Sequence, residues 1–355
     1  MKKIKSIPVF FVAAVLCLLL INSCNDKENP VTQPDEPYQY DSARYDWKVD
    51  TLYGPGYFAG LWAPDTNEVF ITNVFTNQLV HIKNDVKTFT QYPLLGSVLG
   101  DEMNNGYLVG AILIDNLWQP FLQKYDGNNF IDVHIPQNLD RNFFFHSLLI
   151  KNSNEMWFGL RGEVISFDGT KFRQFILEDS TMEIKKFFYD EENNLNFLST
   201  VFHSDLFGGR TEFFLYQFTG NQWEKIYTDL KSPRPLRYDI INRSVSAANL
   251  HTIFELKDSA LVPRINVPVY AFYFSLGGSS FNNIIISAAE IFPQDFYCVA
   301  SLFNWNGNKW SIELCGYYVD GDTYILPINE RFFYAVSFEI GSNRTFLMKG
   351  EKKIN

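Results

Sequence analysis

Short runs in which apolar and polar residues alternate, separated by polar turn residues, dominate the chain from about residue 45 to its C-terminus. A two-residue period is typical of β-strands that bury one side, whereas an amphipathic helix repeats every third or fourth residue. No stretch keeps the helical period over four turns. The 34 phenylalanines and 19 tyrosines favour strands as well. The pattern predicts an all-β domain with very little helix.

Four hairpin-like segments share one frame. After a polar lead residue, each has an aromatic residue, a polar residue, a glycine, two polar residues and a second aromatic residue. The segments are residues 124–130, 166–172, 217–223 and 304–310. Asp-Gly or Asn-Gly between apolar runs predicts a hairpin with a type I′ turn, because that turn needs positive φ. Residues 83–89 fit the frame loosely, with Val86 in the place of the glycine.

The spacing of these frames indicates the architecture. The successive intervals between Gly127, Gly169, Gly220 and Gly307 are 42, 51 and 87 residues, and the last is about two periods. One further unit is therefore expected near residue 260, where residues 256–259 form a degenerate turn. A repeat of about 40–45 residues with four short strands is the signature of propeller blades.

Residues 45–355 divide into about seven such units of about 44 residues. We therefore predict a β-propeller with about seven four-stranded blades. Six or eight blades stay open as alternatives, because residues 229–300 are poorly patterned. A pair of stacked β-sandwiches with coincidental turns is the other alternative.

The two ends of the domain are complementary. The last unit has three predicted strands, at residues 324–328, 332–338 and 344–348, and then stops near Gly350. Residues 45–52 resemble the fourth strand of a unit that lacks the first three. We predict that this N-terminal strand completes the C-terminal blade and closes the ring, which also protects the sheet edges.

The first 23 residues have the layout of a secretory signal peptide: three lysines, then an apolar run over residues 7–21, and the small residue Ser23 before the cleavage site. The run is short for a bilayer span, which needs about 20 residues. Residues 20–24 (Leu-Ile-Asn-Ser-Cys) resemble the lipobox of bacterial lipoproteins, although Asn22 departs from the usual small or hydroxyl residue. This resemblance implies lipid attachment at Cys24. An ordinary signal peptide with a chance cysteine is the alternative.

The predicted domains are thus a signal peptide at 1–23, a lipidated Cys24 with a flexible acidic and proline-containing tether at 24–44, and the β-propeller at 45–355. The tether composition cannot bury enough apolar surface to fold by itself. We expect a protein of the cell envelope, anchored by lipid at the outer membrane. Whether it lies on the periplasmic or the surface side stays open.

Charge and motifs exclude several functions. Removing residues 1–23 takes away three lysines and no acid, which changes the formal charge from −10 to −13. No cluster of Lys and Arg offers a surface for phosphates, so nucleic acid is not an expected partner. The sequence contains no nucleophile elbow, dinucleotide-binding or P-loop motif. We predict no catalytic, cofactor-binding or metal-binding residues and no cofactor.

Isolated residues with possible chemistry have structural explanations. The five histidines lack metal-ligand spacing: His81, His134, His146, His203 and His251. The acidic runs 190–192 and 320–322 are expected in solvated turns. The second aromatic residues of the hairpins are expected to pack between blades rather than to stack on sugars: Phe89, Phe130, Phe172, Trp223 and Trp310. Cys298 and Cys315 are expected two strands apart, as free buried thiols.

The Tyr/Phe-Asp-Gly-x-x-Phe/Trp hairpin, with an Asn-Glu-aromatic strand upstream of it, resembles the propeller repeats of exported bacterial proteins. It is also similar to the sensor-type propellers of two-component regulators. The Gly-His and Trp-Asp pair of WD40 repeats is absent, and kelch-like double glycines occur only at residues 208–209 and 277–278. The resemblance implies a fold rather than an activity.

Our first functional hypothesis is a monomeric, membrane-anchored extracytoplasmic binding or scaffold lipoprotein whose partner is a protein or a glycan. It follows from a rigid ring on a lipid tether without a catalytic motif. The alternative is a glycan-active hydrolase or lyase with carboxylates at the axis of the ring. A third hypothesis is a component of an envelope complex.

Overall fold

The computed structural model describes residues 40–354 except for short gaps at 54–57, 101–103, 115–116, 134–146, 153, 206–207, 230–236, 250–251, 268–270, 291–298, 316–322 and 340–343. The signal peptide, Cys24 and most of the predicted tether lie outside the described residues. Within the described part, no helix is long and apolar enough to cross a membrane.

The described residues form 28 strands and no helix. In chain order the strands are β1 (Tyr45–Tyr53), β2 (Phe58–Trp62), β3 (Glu68–Asn73), β4 (Gln78–Lys83), β5 (Val86–Gln91), β6 (Leu94–Gly100), β7 (Gly106–Ile114), β8 (Leu117–Tyr125), β9 (Phe130–Val133), β10 (Ser147–Asn152), β11 (Glu155–Gly159), β12 (Glu163–Phe167), β13 (Phe172–Ile176), β14 (Glu183–Tyr189), β15 (Leu195–Asp205), β16 (Gly208–Phe218), β17 (Trp223–Asp229), β18 (Arg237–Ile241), β19 (Ser244–Ala248), β20 (Thr252–Lys257), β21 (Ala260–Asn266), β22 (Ala271–Ser280), β23 (Asn283–Glu290), β24 (Val299–Trp305), β25 (Trp310–Cys315), β26 (Tyr324–Pro327), β27 (Phe332–Glu339) and β28 (Arg344–Lys352).

These strands form seven antiparallel sheets of four, which are the blades of a seven-bladed β-propeller. Blades 1 to 6 each use four consecutive strands, from β2–β5 to β22–β25. Blade 7 has the order β1-β28-β27-β26, so the N-terminal strand is its fourth strand. The pairing of β1 with β28 runs without a bulge from Tyr45 opposite Lys352 to Tyr53 opposite Arg344. The prediction of seven blades closed by the N-terminal strand is confirmed.

The first strands of neighbouring blades contact one another, as β2 does with β6 and with β26. The first strand of each blade is therefore innermost, and the fourth is the outer edge. The core lies between blades, where apolar side chains of one sheet pack on those of the next. In one such cluster, Val69 and Ile82 of blade 1 pack with Tyr334 and Leu347 of blade 7.

The four predicted hairpins exist, but their loops have four residues rather than the two of a type I′ turn. Tyr125 pairs with Phe130 across one loop and Phe167 with Phe172 across the next. The glycine is the second loop residue, and φ is 102° at Gly127. The loop is held by the preceding Asp126, whose carboxylate accepts from the N–H groups of residues 128 and 129 at 2.8 and 2.7 Å. This side-chain hydrogen bonding is what the Asp-Gly motif encodes.

Two-residue turns with positive φ at both positions occur where the sequence has no glycine. They are Asn84-Asp85, Asn242-Arg243 and Asp258-Ser259. The last joins β20 to β21, so the predicted degenerate turn at residues 256–259 is confirmed. The Asn84-Asp85 turn is two residues shorter than the loops of the four predicted hairpins. Val86, which the sequence frame placed at the glycine position, therefore lies on β5 rather than in a turn.

Gly350 is not in a turn. It lies inside β28, opposite Trp47 on β1 and Phe333 on β27. A β-carbon at this position would approach the Trp47 ring to 2.8 Å. The glycine therefore lets the closing strand pack tightly against Trp47.

Part of the segment predicted as a tether lies against blade 6. Asp41 forms a parallel bridge with Ser311 of β25, and its N–H donates to the carbonyl oxygen of Trp310 at 2.8 Å. The compact unit that includes the propeller begins at Tyr40. β25 pairs directly with β24, which begins one residue after Cys298. Cys298 is outside the described residues, so its distance from Cys315 stays a prediction.

Candidate binding site at the ring closure

A cleft of about 280 Å³ lies where the last blade meets the first. Blade 7 contributes strands from both ends of the chain, and blade 1 contributes β3, β4 and the turn after β4. The lining residues are Lys48, Asp50, Tyr334, Leu347 and Lys349 from blade 7 and Asn67, Val69, Ile82, Asn84 and Asp85 from blade 1. A concave site with apolar surface and a few polar groups is the usual form of a ligand site.

The apolar floor of the cleft consists of Val69, Ile82, Leu347 and the ring of Tyr334, all of which are buried. The Tyr334 hydroxyl donates to the carbonyl oxygen of Thr66 at 2.8 Å. Burial, together with nearby carboxylates, raises the pKa of Tyr334 to about 12. The phenol is therefore neutral at pH 7 and adds no charge to the floor.

Two ion pairs cross from blade 1 to blade 7 at the rim. The Lys48 ammonium lies 2.7 Å from a carboxylate oxygen of Asp85, and the Lys87 ammonium lies 2.7 Å from one of Asp50. The hydrogen bond and charge of Lys48 lower the pKa of Asp85, so that carboxylate is ionised at neutral pH. Both pairs are partly exposed, and such pairs contribute little to stability. Two of the three lysines at this rim are therefore each paired with a carboxylate.

Lys349 is the third lysine. It is half-buried on β28, opposite Lys48 on β1 and Tyr334 on β27. Within the described part of the chain, no carboxylate lies within ion-pair distance of its ammonium. The side-chain amides of Asn67 and Asn84, also at the cleft, have no hydrogen bond to any described residue. The cleft thus presents one lysine that forms no ion pair, although its charge acts on the nearby Asp85, and two free amides above an apolar floor.

The outer edge of blade 1 begins beside the cleft, because Val86 of β5 follows Asp85. β5 pairs with β4 over all six residues without a bulge. Val86 is 64% exposed and Phe89 is 56% exposed. Since Lys83 and Val86 flank a two-residue turn as a hydrogen-bonded pair, the N–H groups of Lys87, Phe89 and Gln91 point away from β4. We call β5 with these outward groups the open edge.

The other described outer strands are protected as edge strands usually are. β9 has four residues, and β17, β21 and β25 contain bulges against their neighbours. β21 also contains Pro263, and β1 carries three charged residues within its first six positions. β13 is regular but has five residues and carries Arg173. The only charged residue of the open edge is Lys87, which is held by Asp50.

The innermost strands carry few acids. Among the described residues of these strands, only Glu183 on β14 and Asp239 on β18 are carboxylates. Glu183 is paired with Lys185 at 2.6 Å, and Asp239 with Lys186 at 2.8 Å. Both are therefore already neutralised by a neighbouring lysine. No group of three or more His, Cys, Asp or Glu with metal-binding geometry occurs in the described part of the molecule.

A buried carboxylate between blades 1 and 2 was not foreseen. Glu68 begins β3 and accepts from the Tyr125 hydroxyl at 2.7 Å, while His81 and Lys83 contact it at 2.7 and 3.2 Å. Burial alone would raise the pKa of Glu68, but these hydrogen bonds outweigh it and lower that pKa. Burial and the Glu68 carboxylate raise the pKa of Tyr125. Tyr189 and Glu155 form the same pair between blades 4 and 3, so the repeated Asn-Glu motif was the available signal.

The hairpin aromatics pack between blades in four of five cases. The Phe130 ring lies 5.2 Å from that of Phe70, and Trp223 lies 5.4 Å from Trp157, each on the preceding blade. Phe172 packs on a cluster with residues of blade 2. The indole N–H of Trp310 donates to the Asn266 carbonyl oxygen of blade 5 at 2.9 Å.

The prediction for Phe89 is wrong, because this side chain is largely exposed. The two-residue turn in blade 1 places it in the middle of the open edge instead of next to the turn.

The remaining predicted residues have mixed outcomes. Asp190 lies in the turn after β14, where its carboxylate accepts from the N–H groups of residues 192 and 194 at 3.0 and 2.8 Å. His81 stacks on Phe70 and contacts Glu68. The other four histidines lie outside the described residues or on strand positions whose side chains are not described. Residues 320–322 and Cys24 also lie outside the described part.

No model of a known protein family matches the chain, and no curated protein matches it. Known structures do match. YCF48 bound to a D1 peptide has a TM-score of 0.60 at 10% identity, and the match covers 89% of this chain and 100% of that chain. BBS1N in complex with ARL6DN has a TM-score of 0.52 at 9% identity, with coverage of 88% and 98%.

A glycan-active enzyme is among the similar structures. The GH74 xyloglucanase from Xanthomonas campestris has a TM-score of 0.50 at 11% identity, and the match covers 85% of this chain and 55% of the enzyme. At these identities the comparisons show the propeller fold alone. They include binding proteins and an enzyme, so they leave the function to be argued from the site.

Proposed function

We propose that this protein is a lipid-anchored extracytoplasmic binding or scaffold protein, and that the open edge of blade 1 receives an extended segment of a protein partner. The observation that carries the proposal is the open edge itself. It is regular and uncharged apart from one neutralised lysine, and it bears the exposed side chains of Val86 and Phe89.

Such an edge suits binding by strand addition. The partner's main chain would pair with the outward N–H and C=O groups of Lys87, Phe89 and Gln91, and alternate side chains of the partner would contact Phe89. Main-chain pairing provides affinity without demanding a particular sequence, while the side-chain contacts provide selectivity. The molecule already contains a small example, because Asp41 adds in parallel to the outer strand of blade 6.

Two similar propellers support a protein partner. The YCF48 structure contains a D1 peptide, and BBS1N is in complex with ARL6DN. For the present chain the partner is defined by chemistry: an extended segment with apolar residues at alternate positions. Attachment of lipid at Cys24 would hold the propeller at the membrane, near partners that are themselves in the envelope.

Photo-crosslinking in cells tests the docking surface. A benzophenone amino acid at position 89 is expected to trap a protein partner. The same probe at Ile176, which is 80% exposed on the shorter edge strand β13, is the matched control. Phe89→Pro removes an outward N–H and should abolish the crosslink made by a second probe at position 86. Equal trapping at 176 and 89, or retention in the proline variant, would contradict the proposal.

The anchor is tested separately. Cys24→Ala should leave the protein uncleaved by the lipoprotein pathway and unlabelled by radioactive palmitate, and the control Cys315→Ala should be labelled normally. Normal labelling of the Cys24→Ala variant would refute the anchor and leave the docking surface untouched.

The alternative function is a glycan hydrolase or lyase with axial carboxylates, favoured by the likeness to the xyloglucanase. Glu183 and Asp239 are the acids of the described innermost strands, and lysines hold both. Shortening of envelope or plant glycans by the purified protein, lost in Glu183→Gln or Asp239→Asn, would establish this alternative.

A further inference from the structure

At the cleft between blades 7 and 1, three lysines face two carboxylates: Lys48 and Lys87 pair with Asp85 and Asp50, and Lys349 is the third lysine. The chain has a formal charge of −10, yet the Lys349 ammonium forms no ion pair with a described carboxylate, and Asp85, on which its charge acts, is already paired with Lys48. Lys48 and Lys87, the two neighbouring lysines, are each matched at 2.7 Å. A half-buried lysine that forms no ion pair in an acidic protein favours an anionic group from outside.

The polar groups beside Lys349 limit the kind of anion. Asn67 and Asn84 can donate from neutral amides, whereas phosphate sites usually offer several charged or main-chain donors. The adjacent Asp85, whose pKa Lys48 lowers, would repel a second negative charge. One ammonium with two amides fits a single carboxylate.

The floor and the volume limit the rest of the ligand. Val69, Ile82, Leu347 and the neutral Tyr334 ring can cover an apolar group but cannot donate to it. The cleft of about 280 Å³ would hold roughly nine water molecules at about 30 Å³ each. The body that fits is the size of an aromatic ring or a short alkyl chain.

We propose that this cleft binds a carboxylate carried on a short apolar body, with the carboxylate on Lys349 and the body on the apolar floor. The carboxylate can come from a small acid or from the C-terminus of a peptide. The site uses the facing sides of two blades and not the outward edge of β5. It is therefore distinct from the proposed docking surface and does not depend on it.

Calorimetric titration of the purified full chain in detergent with benzoate and benzamide tests the charge requirement. The two probes have nearly the same shape, but only benzoate is an anion. Benzoate should bind saturably and benzamide at least about tenfold more weakly. Equal binding of the two, or no saturable binding of benzoate, would overturn the proposal.

Variants of Lys349 test whether its ammonium binds the carboxylate. Lys349→Met keeps the apolar stem and should weaken benzoate at least about tenfold, while Lys349→Arg should retain most of the binding. Lys171→Met, on an exposed hairpin loop of blade 3, is the control and should bind benzoate as the wild type does. Undiminished binding by a folded Lys349→Met protein would refute the role of Lys349. A thermal melt confirms that each variant is folded.

A second pair of probes identifies the source of the carboxylate. An acetylated tripeptide that ends in phenylalanine is compared with its C-terminal amide. Tighter binding of the free-acid peptide than of benzoate would assign the cleft to peptide termini, and weaker binding would assign it to small acids. Phe89→Pro should leave benzoate binding unchanged, so failure at the open edge and failure at the cleft are distinguishable.

Discussion

The outer strands of blade 6 and blade 1 both carry main-chain groups that their own sheet leaves unpaired. The two edges differ in whether another segment of the chain covers those groups. A fourth strand presents N–H and C=O groups that no further strand satisfies. In blade 6 the N-terminal segment lies along β25, where the Asp41 N–H donates to the Trp310 carbonyl oxygen. In blade 1 no described residue pairs with the outward side of β5.

Glu313 completes the covered edge of blade 6. Its carboxylate is buried and accepts from the N–H groups of Arg44 and Tyr45 and from the Ser311 hydroxyl. The chain is thereby guided from blade 6 into β1, which closes the ring. Covering an edge is thus part of the closure, and the edge of blade 1 has no such task.

The largest expected effect comes from uncovering the blade 6 edge. Glu313→Ala leaves the buried N–H group of Tyr45 and the partly buried N–H group of Arg44 without an acceptor and should lower the free energy of unfolding by about 2–4 kcal/mol. Denaturant unfolding measures the change. Glu224→Ala, on the exposed strand β17, is the control and should change it by less than about 0.5 kcal/mol. Similar values for the two variants would mean that Glu313 does not secure the closing strand.

The second largest effect is expected at Glu68, whose carboxylate joins blade 1 to blade 2 through the Tyr125 hydroxyl. Glu68→Gln weakens the hydrogen bonds of Tyr125, His81 and Lys83 to the carboxylate and should destabilise the protein by about 1.5–3 kcal/mol at pH 7.

The pH dependence of that difference follows from the lowered pKa of Glu68. A carboxyl group whose pKa is lower in the folded state contributes stability above its unfolded pKa of about 4.3. That stability is lost as pH falls through the folded pKa. The gap between wild type and Glu68→Gln should therefore shrink as pH falls below about 4.5. A gap that grows as pH falls below about 4.5 would contradict this assignment.

A smaller effect is expected at the closing strand itself. Tyr45 donates to the Asn283 side-chain oxygen at 3.0 Å and lies 3.2 Å from the Glu330 carbonyl oxygen. Tyr45→Phe should cost about 1 kcal/mol of unfolding free energy. Tyr92→Phe, which removes a longer and less buried hydrogen bond of 3.4 Å, should cost less. The reverse order would show that the hydroxyl of Tyr45 is not used in closure.

The smallest effects compare the two edges directly with proline. Asp41→Pro removes the N–H that pairs with Trp310 and should cost about 1 kcal/mol. Phe89→Pro removes an N–H that points away from β4 and should change the unfolding free energy by less than about 0.5 kcal/mol. Thermal melts of the two variants measure the difference. A larger loss for Phe89→Pro would mean that the edge of blade 1 is not open.

Much of the fold could be predicted because it is encoded locally and repeatedly. The Asp-Gly frames mark the loops between third and fourth strands, and the unpaired ends of the repeat predict the closing strand at residues 45–52. The conformation of those loops could not be taken from the dipeptide, because the Asp126 side chain, rather than a two-residue turn, organises the loop. Phe89 was misplaced because spacing identifies a position in a repeat but not its neighbours.

The candidate site was not predictable, because its parts are distant in sequence. Lys48 and Lys349 are opposite one another only after β1 pairs with β28. Arg44 and Glu313 are 269 positions apart. Nothing in the local pattern distinguishes Lys349, which forms no ion pair with a described residue, from Lys87, which forms one.

The sequence by itself determined the all-β repeat, a number of blades near seven and the closure of the ring, since these follow from a period that most units repeat. Only the tertiary structure decided which outer edge is covered, which lysines at the cleft form ion pairs and where the cleft forms. These depend on contacts between the first and last parts of the chain. Such contacts are made once in the molecule and have no periodic signal.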